Sequence, residues 1–156
     1  MREVYNLIAL IKNYFKADRI VNTVQFGDLK EVDLNKTTIF PLTHFWMERA
    51  GFQGRTLTFT LNFMFLDIVD DNKTEDNDFI YGSDNLLDIL NEQWAVCNQF
   101  LVALTDYKGD LASQQYILVG EPEAEMMYEE FENKLAGWGL TVTIEVPNDK
   151  YNACVT

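Results

Sequence analysis

Residues Thr56 to Asp70 read T-L-T-F-T-L-N-F-M-F-L-D-I-V-D, and the fold turns on this stretch. Leu57, Phe59, Leu61, Phe63 and Phe65 recur at every second position, while Thr56, Thr58, Thr60 and Asn62 fill the alternate ones. That is the period of a β-strand with one face buried and one face polar. From Met64 onward the polar register stops, because Met64, Leu66 and Ile68 put apolar side chains on the second face too. The strand is expected to start half-exposed and end covered on both sides. The second cover would come from a helix of the same chain or from a neighbouring subunit.

Working upstream, Leu42 to Met47 reads as a partner strand, and Arg49 to Arg55, with Gly51 and Gly54, as the loop of a long hairpin. Thr37 to Phe40 is β-branched and aromatic, hence strand, and Pro41 places it at an edge or a bulge because proline donates no ladder hydrogen bond. Phe45, Trp46 and Phe52 then fall toward the hairpin's far end. Aromatics so placed either meet a partner or fold back onto the sheet. The interface candidates are therefore Phe45, Trp46, Met47 and Phe52, together with Met64 and Leu66 on the second face.

Val4, Leu7, Ile8, Ile11, Tyr14 and Phe15 follow the i, i+3, i+4, i+7 spacing of an amphipathic helix over Arg2 to Ala17, and Ile20 to Phe26 reads as a short strand before Gly27-Asp28. Downstream of the central strand, Ser83 is a good N-cap for a helix over Asp84 to Tyr107. Its apolar residues, from Leu86 to Leu104 and including Trp94 and Cys97, span an arc of about 200°. That is wider than one sheet contact consumes, and it makes Cys97 a core residue rather than a nucleophile. Gln114 to Val119 reads as strand, and Glu121 to Asn133 is open between helix and irregular strand. Leu140 to Val146, introduced by Gly137-Trp138-Gly139, alternates clearly. The sum is an α+β fold: a mainly antiparallel sheet with a long β-hairpin, flanked by an N-terminal helix and a long central helix.

The chain has 156 residues, enough for one domain with a real core, and carries 12 basic against 25 acidic residues for a formal charge of −13. Such a surface repels nucleic-acid phosphates and anionic membranes, so neither sequence-reading DNA binding nor membrane association is expected. It could still line a path through which DNA slides without sticking. The apolar stretch Leu7 to Ile11 is too short for a signal peptide, and no run has the length of a transmembrane span, so synthesis in the cytoplasm is expected. Cys97 and Cys154 have no metal-ligand or disulfide-framework spacing.

Chemistry is sparse. His44 is the sole histidine and alternates with Leu42 and Trp46, which favours a structural role over a catalytic one. Asp67 shares the parity of Phe63 and Phe65; it reads as a surface or turn-capping acid, with a buried acid as the other option. Asp70 to Asp78 is rich in carboxylates but lacks the sixth-position glycine and twelfth-position glutamate of a calcium loop in any register. No nucleophile elbow, phosphate-binding loop or dinucleotide fingerprint is present. No catalytic residue, cofactor site or metal site is expected, and the chain is not expected to be an enzyme.

The order of elements, with Asp33-x-Asn35-Lys36 leading to Phe40-Pro41-Leu42, a long hairpin ending Phe65-Leu66-Asp67-Ile68-Val69-Asp70, a long helix, Leu135-Ala136-Gly137-Trp138 before a last strand, and Cys154, resembles bacteriophage tail-terminator or head–tail connector proteins. The flavour is that of the ring proteins of crAss-like phages. The resemblance implies one tail-terminator-like domain over residues 1–156, built into a virion after assembly in the host cytoplasm. It implies identical subunits in a sixfold or twelvefold ring around the DNA channel, the hairpin reaching a neighbour, and contacts to portal, connector or tail proteins. DNA would pass without sequence-specific binding, and no family active site exists to transfer. The alternative is an acidic monomeric adaptor or assembly chaperone that is absent from the finished particle.

Overall fold

The computed structural model describes residues 3–28, 40–69, 85–105, 109–130 and 134–153, without the side chains of residues 129, 130, 152 and 153. The sequence readings at Leu29 to Ile39, Asp70 to Asp84, Asp106 to Lys108, Phe131 to Asn133 and Cys154 lie outside the described residues. The fold is α+β, with helices α1 (Glu3–Lys16), α2 (Leu86–Thr105) and the short α3 (Asp149–Ala153) beside a six-stranded, mostly antiparallel sheet. Its strands are β1 (Thr23–Phe26), β2 (Leu42–Phe52), β3 (Thr56–Ile68), β4 (Ile117–Val119), β5 (Ala124–Glu130) and β6 (Leu135–Pro147).

β3 is the spine. It pairs antiparallel with β2 on one side and along its whole length with β6 on the other, from Thr56 opposite Pro147 to Ile68 opposite Leu135. Period-2 alternation in both strands puts Phe59, Leu61, Phe63 and Phe65 on the same face as Leu140, Val142 and Ile144. Leu7, Ile11 and Phe15 of α1 and Val96, Cys97, Phe100 and Leu104 of α2 cover that face and complete the main core. β4 and β5 both pair with the free edge of β6, at residues 143–145 and 135–140, so together they act as one edge strand interrupted at Gly120–Glu123. β1 caps the opposite edge, running parallel to β2 only as far as Phe26 opposite Phe45.

The hairpin departs from the sequence reading. β2 continues to Phe52, and the turn is confined to residues 53–55, with Gly54 at φ +72° and the Gln53 N–H donating to the Thr56 carbonyl at 3.0 Å. A β-bulge between Met47 and Arg49 breaks the alternation that would have revealed a strand there. Gly51 is small because a Cβ would run into Thr58 Oγ1, not because it turns the chain. The register consequently places Phe45 opposite Phe63 in mid-sheet rather than at the hairpin's far end. Phe45 is 0 % exposed and its ring stacks on Phe63 at 5.3 Å, so it is core.

β3 begins half-exposed and is buried on both faces from Phe63 to Leu66, but it does not end covered as expected: Asp67 is half-buried and Ile68 is exposed. On its second face, Leu42, Met64, Leu66 and Leu135 form a smaller cluster with Phe40, Trp46 and Met127, so the sheet's own side chains contribute to the cover expected from a helix or neighbour. Leu66, at 0 % exposure, is thereby corrected from an interface candidate to an interior residue, whereas Met64, at 3 % exposure, is buried in this cluster but also lines an open groove on this face.

α2 buries a narrower stripe than its composition suggests, because Leu87, Trp94 and Val102 are exposed. At the centre of the buried stripe sits Gln93, 0 % exposed, with neither Nε2 nor Oε1 hydrogen-bonded. A buried amide without partners costs about 1–3 kcal/mol in proteins. Replacing it by the similarly long methionine is therefore expected to stabilise the fold by about 1–2 kcal/mol. The check is a higher urea midpoint at unchanged slope; a lower midpoint would mean that Gln93 makes a bond the fold depends on.

Candidate functional site: a groove on the helix-free face

The second face of the sheet carries no helix among the described residues, and its middle is concave. β6 presents Gly137 and Gly139 in succession on this face, so no side chain stands between Met64 of β3 and the β5 edge. The result is an open groove of about 570 Å³ over Gly139. Trp46 and Met64 form one side and Met127 the other, with Glu123 and Glu125 at the edge and Asn62 and Thr141 on the floor; Met126, opposite Trp138 in the register, belongs to the helix-covered face of the same strand. The Met127 sulfur lies 3.3 Å from where a Gly139 Cβ would stand, so any side chain at residue 139 would press on it and begin to fill the groove.

The polar floor is ordered by its own hydrogen bonds. Thr141 Oγ1 donates to Asn62 Oδ1 at 2.6 Å, and Asn62 Nδ2 donates to Glu48 Oε2 at 2.9 Å, which fixes the amide's orientation and tethers the bulge residue Glu48. One strand pair further along, Thr60 and Thr143 hydroxyls bond at 3.0 Å, and Arg49 Nε donates to Thr60 Oγ1 at 3.4 Å. Among the described residues, no lysine or arginine lines the groove. Its chemistry is that of an indole, thioethers and carboxylates, which suits an apolar group carrying a positive head.

The remaining singled-out residues sit apart from it. His44 is buried, and its Nε2 donates to the Gly27 carbonyl at 3.0 Å; since a carbonyl only accepts, this nitrogen carries the proton. The histidine is thus structural, tying the end of β1 to β2. Asp67 is half-buried at the end of β3; desolvation raises its carboxyl above the usual range, a hydrogen bond from the Ile68 N–H at 2.8 Å opposes this, and Glu92 adds to the rise. Cys97 lies in the core, where burial pushes its thiol up to about 12, far from nucleophilic use. Trp138 faces α2, donating to the Leu90 carbonyl at 2.8 Å and meeting Trp94 edge-on.

Of the interface candidates, Trp46 lines the groove, Met47 is half-buried under the bulge, and Phe52 stands 71 % exposed at the hairpin tip. The tip is held by the end of β6: the Asn148 N–H donates to the Arg55 carbonyl and Asn148 Nδ2 to the Gly54 carbonyl, both at 2.9 Å. Reading the sequence alone misses Glu123, Glu125 and Gly139. The available signal was Gly137-x-Gly139, two glycines of one parity inside an alternating strand, which marks a side-chain-free row on one face.

Among the described residues, no group of His, Cys, Asp or Glu side chains is arranged to hold a metal ion, and no helix is long and apolar enough to cross a membrane. Comparison with protein-family models and with curated proteins finds no match for this chain.

Proposed function

We propose that the chain is a structural ring subunit of a bacteriophage head–tail junction or tail, resident in the virion and surrounding the DNA channel without reading its sequence. The observation that supports this best is the placement of exposed apolar side chains. Phe52 projects at the hairpin tip, while Met126 at 54 % exposure, Ile117 and Val119 lie on the β4–β5 edge across the sheet. Two different sticky patches at separate places are what head-to-tail association needs, and such contacts close into rings when the rotation between copies allows. The formal charge of −13 keeps free copies apart and would let DNA slide past.

Native mass spectrometry with negative-stain imaging, at low and high salt, tests the reading. Closed rings of one stoichiometry are expected, more abundant at high salt because screening weakens the repulsion between acidic copies. A monomer at every salt and concentration would overturn it and favour the adaptor or assembly-chaperone role.

A further inference from the structure

We infer that the groove over Gly139 is the seat of the hairpin tip of a second copy of this chain, with Phe52 lodging between Trp46 and Met127 and Arg55 facing Glu123 and Glu125. The inference deepens the ring reading and rests on self-association, but it names a contact that self-association alone does not require.

The groove and the tip are complementary in kind. The groove offers an indole and two thioethers on its walls, carboxylates at its edge and, among the described residues, no cation. The tip offers an aromatic ring left largely in water at Phe52 and an exposed guanidinium at Arg55, three residues on. An aromatic ring set among an indole and methionine sulfurs gains both area burial and specific ring contacts. A guanidinium near carboxylates and an indole gains charge pairing and cation–π attraction. Each half supplies what the other lacks.

The two halves cannot meet within one copy. Both are fixed on the same sheet: the groove lies at Gly139–Thr141 of β6, and the tip is bonded to Asn148 just beyond its end. At strand rise, residues 141 and 147 are roughly 20 Å apart. The contact must therefore be between copies, and because tip and groove are different surfaces it is heterologous, leaving each copy one free tip and one free groove for the next. The hydrogen bonds from Asn148 to the turn hold the tip in one conformation, so little ordering is needed on docking.

The test uses the full chain and four variants: Phe52→Ala, Arg55→Glu, Glu125→Arg and the double charge swap Arg55→Glu with Glu125→Arg. All these positions are exposed, and circular dichroism with thermal melting verifies that each variant folds. Sedimentation velocity then reads the association constant. Each single variant is expected to weaken association roughly thirtyfold or more, as truncation of an interface anchor does. The double swap is expected to restore most of the loss, because it reverses both partners at every junction of the assembly. Rings that form as in the wild type in all the variants would overturn this contact and leave the ring reading standing. Loss in the Phe52 and Arg55 variants without loss in Glu125→Arg, or without rescue in the double, would place the tip elsewhere and overturn it equally. A wild type that never associates would overturn both.

Discussion

Replacing Gly137 by alanine is expected to destabilise the fold by roughly 3–5 kcal/mol, a large share of the margin of about 5–15 kcal/mol that holds a domain folded. Gly137 sits in mid-sheet opposite Leu66, at φ +154°, a backbone conformation that side-chain-bearing residues rarely adopt. A Cβ built there would fall on the Phe65 carbonyl oxygen and crowd its carbon. Neither neighbour can yield cheaply, because both belong to the backbone of β3, which is paired on both sides. Gly120 provides the comparison: its φ is +78° but nothing lies within 4 Å of its Cβ position. Gly120→Ala thus carries the conformational cost alone, about 1–2 kcal/mol. Urea denaturation followed by tryptophan fluorescence measures both. A Gly137→Ala variant no less stable than Gly120→Ala would mean that β3 and β6 do not approach as described.

The same glycine marks the limit of what sequence reading delivers here. β3, the core of β6 and both main helices are legible because their periodicity is carried by large apolar residues against threonine, asparagine or charge. Where one irregular residue shifts the parity, the pattern fails. The bulge between Met47 and Arg49 makes the last turn of β2 look like loop, and that error moves Phe45 to the wrong end of the hairpin. β5 is obscured rather than silent: in A-E-M-M-Y-E-E, Ala124, Met126 and Tyr128 alternate with Glu125 and Glu129, but Met127 interrupts the pattern and a register shift after Tyr128 ends it. Gln93 is invisible for a different reason, since an amide on a wide apolar arc looks like the arc's border until packing places it at the centre. The groove was illegible as a site because it is made by the absence of side chains at Gly137 and Gly139, and only the register reveals which wall each neighbour forms.

Phe15→Ala is the second large effect, expected at about 3–5 kcal/mol. Phe15 is fully buried, and its ring lies 4.9 Å from Phe100 of α2, 5.7 Å from Phe65 and 6.0 Å from Phe63. One side chain thus joins α1 to α2 and both to β3. Truncation removes the transfer free energy of a buried ring and leaves a hole whose walls are themselves aromatic rings on two rigid elements, α2 and β3, so collapse around it is poor. For a chain of this length the loss corresponds to a fall in melting temperature of roughly 6–20 °C. A Phe15→Ala and Phe100→Ala double-mutant cycle should show coupling, since the two rings share the cavity; strict additivity would mean that α1 and α2 pack independently on the sheet. The cluster lies on the helix-covered face and the groove on the other. Below its lowered transition, Phe15→Ala should therefore assemble with wild-type stoichiometry, whereas Phe52→Ala should melt like wild type and fail to assemble. The crossed outcome, assembly lost with Phe15 and stability lost with Phe52, would contradict the division of the sheet into a stabilising face and a docking face.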